Sequence, residues 1–199
     1  MTIKQHVSGL VGTNSYYLIH KDKGYLIDAP DGIGRWIREL KEEGLNVDYI
    51  LLTHGHFDHI AGIRPCEAKI VMHENDLGIL NQANKYLLMF GMDEITIPQV
   101  DCYVKDGDIL KIGNTEIKVL HTPGHTQGGV CYLIENKLFS GDTIFREAVG
   151  RCDLEGGNFN QLVESIEQTI FTLPDDIEIY PRHGRSTTVS WERLNNQFL

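Results

Sequence analysis

Residues 53–59 read Thr53-His54-Gly55-His56-Phe57-Asp58-His59 and place four groups able to bind a metal ion within six residues. Two imidazoles at positions i and i+2 of an extended backbone point the same way, whereas Asp58 and His59, past a turn, reach a neighbouring point. Burying such imidazoles in an apolar core would leave their ring nitrogens unsatisfied. A solvated face, for its part, would not need to follow a strand ending in Leu51-Leu52. The cluster therefore points to metal chemistry at the carboxyl end of a strand.

The elements that must position these residues follow from hydrophobic spacing. Asp48–Leu52 is a buried strand by composition, and a second strand is expected near 68–72. Upstream, 3–7, 14–20 and 24–28 are rich in β-branched and aromatic residues, and Lys21-Asp22-Lys23-Gly24 signals the turn of a meander. Asp31 can cap a helix whose apolar positions Ile33, Trp36, Ile37 and Leu40 lie on one face and which ends at Gly44. Residues 74–98 are helical but irregular. Strands are expected at 109–112, 115–120, 129–134 and 137–140, then a helix over 159–171 with Phe159, Leu162, Val163, Ile166 and Ile170 on one stripe, then a strand at 177–180. Two β-rich runs, each followed by helices, predict an α/β (α+β) architecture of two sheets packed face to face with helices outside. No Pro-, Gly- or Ser-rich tract marks a linker, so residues 1–199 read as a single domain.

The chain has 199 residues, 41% of them hydrophobic, which is enough to bury a core. Eighteen basic against 28 acidic side chains give a formal charge of −10, which repels phosphate backbones and anionic lipid. Neither nucleic acid nor membrane is expected as a partner. No stretch approaches the ~20 apolar residues that cross a bilayer, and the first residues lack an export signal. The expected location is the cytoplasm. Cys66, Cys102, Cys131 and Cys152 form no C-x-x-C pair and read as reduced thiols in or near the core.

Three later stretches extend the cluster: Thr122-Pro123-Gly124-His125-Thr126, Ser140-Gly141-Asp142 and His183-Gly184. With Thr-His-x-His-x-Asp-His they resemble, in order, the signature of the metallo-β-lactamase superfamily of binuclear metal hydrolases. Val149–Leu154 (Val-Gly-Arg-Cys-Asp-Leu) and the closing Glu192–Leu199 are most similar to the glyoxalase II branch, the hydroxyacylglutathione hydrolases, in its short single-domain form without the C-terminal glutathione-binding helical domain. The resemblance implies a four-layer αβ/βα sandwich. It further implies one metal held by His54, His56 and His125, another held by Asp58, His59 and His183, and Asp142 bridging them. Asp58 and Asp142 are the implied catalytic residues.

Five imidazoles and two carboxylates favour two divalent ions of borderline softness, zinc first with iron or manganese open, over calcium or magnesium. Such a pair lowers the pKa of bound water from 15.7 to ~7 and polarises a carbonyl, so no Ser or Cys nucleophile is needed. The expected substrate is a small acyl thioester such as S-lactoylglutathione, attacked by metal-bound hydroxide. Its thiol, with a free pKa near ~8.5, leaves without strong acid assistance. The alternatives are an iron persulfide dioxygenase using His54, His125 and Asp142, and a metal-dependent hydrolase of another ester or lactone. An exported β-lactamase, a nuclease and a non-catalytic binding module rank lower. The sequence leaves the oligomeric state open.

His6, His20, His73 and His121 read as structural residues, His121 also as a group behind the ligands. Arg151 and Asp153 either orient ligands or form an ion pair at a turn. Arg182 and Arg185 flank His183 and either attract an anionic substrate or carry plain surface charge. Leu80 and Leu87 are expected in the core, and some of Tyr86, Phe90 and Met92 in a pocket wall.

Overall fold

A computed structural model of the chain describes residues 2–20, 23–63 and 68–199. Contacts divide it into two units: residues up to Tyr103 with Ile112–Asn114, and Val104–Lys111 with Thr115 onward.

In the first unit the expected meander forms: β1 (Thr2–Ser8) and β2 (Thr13–His20) pair antiparallel from Thr2↔Ile19 to Ser8↔Thr13, and β3 (Lys23–Ile27) pairs antiparallel with β2. Helix α1 (Ile33–Glu42) then crosses to β4 (Tyr49–Leu51), which runs parallel to β3. Ile33, Trp36 and Leu40 are buried with Tyr17, Leu26 and Ile50, as the spacing predicts. Asp31 does not cap α1, however. Gly32 occupies the cap position with φ +81°, and no side chain caps the helix; the left-handed backbone there is glycine's contribution. The short α2 (Phe57–Ile60) is followed by β5 (Lys69–His73), parallel to β4. The irregular helical stretch resolves into a 3₁₀ turn (Glu74–Asp76), α3 (Leu77–Asn81) and α4 (Ala83–Met89), with nothing helical over 91–98. Leu80 and Leu87 are fully buried as expected. An unanticipated edge strand, β6 (Cys102–Val104), completes the sheet order β1-β2-β3-β4-β5-β6.

Next along the chain come β7 (Ile109–Ile112) and, in the second unit, β8 (Thr115–His121), β9 (Val130–Ile134) and β10 (Lys137–Gly141), at the expected places. A two-stranded ribbon, β11 (Ile144–Phe145) with β12 (Ala148–Val149), follows. Helix α5 (Phe159–Ser165) is capped by the Asn158 side chain, which accepts from the Gln161 N–H, and continues as one π turn through Ile170. Leu162, Ile166 and Ile170 pack with Leu120, Leu138 and Ile179. Phe159, the first residue of α5, departs from the predicted stripe: it is 45% exposed and lies outside the core cluster that holds Leu162, Ile166 and Ile170. β13 (Glu178–Pro181) runs parallel to β10, and β14 (Thr187–Thr188) leads into α6 (Val189–Asn195), giving the order β14-β13-β10-β9-β8-β7. Neither β14 nor α6 carries a strong periodic signal. What anchors α6 is the buried Glu192, which accepts from the Glu147 N–H and the Asn196 side-chain amide, each at 2.8 Å.

Of the cysteines, Cys131 is buried and Cys152 half-buried, but Cys102 is exposed on β6, which corrects its expected place in the core. Cys66 lies outside the described residues, as do Lys21 and Asp22 of the predicted turn and the side chain of His20. Among the described residues, no helix is long and apolar enough to cross a membrane.

Candidate metal centre

In the first unit the chain leaves β4 through buried Leu52 and Thr53 and presents its imidazoles at once. His54 Nε2 and His56 Nδ1 face each other at 3.0 Å, and the His59 ring lies 3.8 Å from that of His54, centroid to centroid. Asp58 Oδ2 is 3.5 Å from His59 Nε2. The other side of the cluster is fixed from behind. Asp28, fully buried at the end of β3, accepts from the Thr53 N–H and Oγ1–H, each at 2.7 Å, and lies 3.1 Å from His59 Nδ1. A hydrogen bond at Nδ1 sets the tautomer and leaves Nε2 of His59 with its lone pair forward. Buried Asp76 similarly takes the Gly55 N–H at 2.9 Å, holding the loop between His54 and His56.

In the second unit His125 follows β8 by way of Thr122-Pro123-Gly124, Asp142 follows Gly141 at the end of β10, and His183 lies just past β13. Asp142 Oδ2 is 3.6 Å from His125 Nε2 and 3.8 Å from His183 Nε2. These separations exceed a hydrogen bond. They approach instead the edge of a ligand tetrahedron, about 3.3 Å for bonds of about 2.0–2.1 Å. His125 Nδ1 lies 2.7 Å from the main-chain carbonyl of Arg151, so its Nε2 also faces forward. Gly150 makes this approach possible, since a Cβ on it would stand 1.8 Å from the carbonyl oxygen of Asp142. Both sets of side chains thus fit a metal ion: imidazole nitrogens and carboxylate oxygens converge while the remaining ring nitrogens are held by the chain.

Several residues differ from their sequence reading. Asp28 and Asp76 were invisible in the sequence, because each lies more than twenty residues from the group it holds. Arg151 and Asp153 form a bidentate ion pair at 2.8 and 2.7 Å that is largely exposed, and it is the Arg151 carbonyl, not its side chain, that meets His125. The pairing holds the Asp153 carboxyl down at about 2. Arg182 is fully buried, which rules out plain surface charge for it, whereas Arg185 is exposed. His6 stacks on Trp36 at 5.0 Å, His73 Nδ1 accepts from the Asn75 N–H, and His121 Nε2 bonds the Gln127 carbonyl, all structural roles.

The sequence profile of the Metallo-beta-lactamase superfamily matches residues 8–183, and the chain belongs to that superfamily. It has the corresponding metallo-β-lactamase fold and is a metallo-hydrolase. A Bacillus subtilis protein named "Probable metallo-hydrolase YqgX" is 36% identical over 96% of this chain and 94% of its own length. Hydroxyacylglutathione hydrolase GloC of Haemophilus influenzae is 31% identical over 87% and 86%. Among solved structures, the BLEG-1 B3 metallo-beta-lactamase superposes with TM-score 0.90 at 33% identity, covering 99% of both chains. The di-iron-bound form of TTHA1623 gives TM-score 0.88 at 30% identity, covering 98% of this chain and 100% of its own.

Proposed function

We propose that this protein is a metal-dependent hydrolase of small acyl thioesters, similar to the hydroxyacylglutathione hydrolases, acting in the cytoplasm without nucleic acid or membrane partners. In this reading residues 1–199 act as one hydrolase domain. His54, His56 and His125 would hold one metal and Asp58, His59 and His183 a second, and Asp142 would bridge them. The observation that carries the reading is the spacing of 3.0–3.8 Å among facing imidazole and carboxylate atoms, with His59 and His125 each tied back through Nδ1. The relatedness to GloC supports the substrate class, and the di-iron relative keeps iron beside zinc and manganese as the resident ion.

The metal pair, when bound, supplies Lewis acidity and lowers the pKa of water at the site. Asp58 and Asp142 orient the attacking water through their carboxylates. The water oxygen bonds to the acyl carbon, the C–S bond breaks with its electron pair on sulfur, and the products are a carboxylate, a thiol and one proton released to solvent. Cys131 is disfavoured as a nucleophile: burial pushes its thiol up to about 11, so no thiolate forms there near neutral pH.

The test is hydrolysis of S-lactoylglutathione by protein loaded separately with zinc, iron and manganese. Turnover that a chelator abolishes, and that is lost in folded His56→Ala and Asp58→Ala, is the expected result. Full activity in both variants overturns the proposal. Oxygen uptake with glutathione persulfide, in the absence of thioester hydrolysis, replaces it with the dioxygenase reading.

A further inference from the structure

Beside Asp58 the first unit exposes an apolar surface that, among the described residues, no element of that unit covers. The turn between β1 and β2 is built on Gly9 and Gly12, whose φ values of +78° and +66° make a tight bend closed by the Gly12 N–H to the Gly9 carbonyl. Its tip presents Leu10 and Val11 to solvent, 65% and 48% exposed. Phe57, the residue preceding Asp58, stacks on Phe90 at 5.1 Å and on Tyr86 at 6.4 Å. Phe90 is itself 52% exposed at the end of α4. Leu10, Phe57, Asp58 and Met92 together line a void of only about 10 Å³, room for at most one water. The inner side of this wall is therefore closed and packed, and its outer side is available to a ligand.

An exposed apolar surface that continues into a metal-ligating carboxylate is a substrate wall more readily than scattered surface leucines are. Position relative to the attacked carbon decides which end of a thioester it suits. Asp31 and Asp58 flank the void, and Lys85 sits at the far edge, 5.6 Å above the Tyr86 ring. The wall adjoins Asp58, beside which the acyl carbon must sit to be attacked, so the part of a thioester nearest the wall is its acyl group, and an aliphatic acyl chain gains by covering Leu10, Phe90 and Met92.

We propose that Leu10, Phe57, Phe90 and Met92 form the binding wall for an apolar acyl chain, which makes medium-chain acyl thioesters better substrates than lactoyl thioesters. This inference rests on the thioesterase reading and gives it a substrate class. Each buried methylene is worth roughly a fourfold gain in binding, and a chain covered on one side gains less per carbon. From butanoyl to octanoyl, kcat/KM therefore rises by about tenfold or more.

The experiment measures kcat/KM of the metal-loaded enzyme on acetyl, lactoyl, butanoyl, hexanoyl and octanoyl thioesters of N-acetylcysteamine, a small uncharged carrier. The same series is run on Leu10→Ser and Phe90→Ser, both at exposed positions, after each variant's melting temperature has been compared with the wild type's. The expected result is a rise with chain length that falls toward a ratio of one in the variants, through KM more than kcat. A flat series in the wild type, or an unchanged slope in the variants, overturns the proposal. If none of these thioesters is hydrolysed, the thioesterase reading fails by itself, and calorimetric binding of the octanoyl thioester decides the wall. Binding that both variants weaken about tenfold sustains it, and equal or absent binding overturns it. A wild-type dimer that Phe90→Ser converts to monomer also overturns it, because the wall is then covered by a second copy.

Discussion

His59 and Asp28 are locked together with no solvent access: His59 Nδ1 lies 3.1 Å from Asp28 Oδ2, and the same carboxylate takes both the N–H and the hydroxyl of Thr53. One acid at the end of β3 thereby orients the loop that follows β4. Replacing it should loosen the metal more than it loosens the fold. Asp28→Asn is expected to lower metal affinity about 10–100-fold. Competition against a chromophoric chelator measures this, and unchanged affinity would show that the contact does not orient His59.

Gly150 is a steric requirement. A methyl there meets the Asp142 carbonyl at 1.8 Å, and the obstacle is backbone that a rotamer change cannot clear. Gly150→Ala should cost about 1–3 kcal/mol or more, with a melting point lower by several degrees and weaker metal retention. Arg151→Ala, by contrast, keeps the carbonyl that meets His125 and should retain the metal like the wild type.

Metal removal should destabilise the protein. Ligands that bind only the folded state add about 2.7 kcal/mol at a hundredfold excess over Kd. Chelation is expected to lower the melting temperature, readdition of zinc to restore it, and His56→Ala to show a smaller response to both treatments. A melting temperature indifferent to chelator and to added zinc, iron or manganese would count against a metal centre.

The thiols should separate by exposure and pH. Cys102 is exposed and should react with a thiol reagent in the native protein, while Cys131 should react only on unfolding. The Cys131 thiol is raised to about 11 by burial, partly offset by hydrogen bonds with Thr122 and Thr143. In the unfolded chain it ionises near ~8.5, so between those values the native state holds the extra proton. Stability is accordingly full below ~8.5 and declines as pH rises toward about 11. Cys131→Ala should flatten this alkaline decline in equilibrium unfolding, and an identical slope would assign it to other groups such as Tyr17, also raised by burial, to about 12.

The sequence by itself determined the residue chemistry and most of the regular elements. His54, His56, Asp58 and His59 stand close in the chain, and strand and helix periodicities such as Ile33-Trp36-Leu40 repeat over a few residues, so both are local signals. Short pieces escaped it: β6, β14 and α6 are held by sheet pairing or by buried Glu192, not by a periodic stripe. Tertiary structure decided what stands behind the ligands. Asp28, Asp76 and the Arg151 carbonyl lie 31, 21 and 26 residues from the groups they hold. Hydrogen bonds of that reach depend on where strand ends meet, which no local pattern encodes. The same holds for Arg182, whose burial and neighbours are set by packing around β13, and for Phe57, whose stack on Phe90 exists only once α2 and α4 have come together.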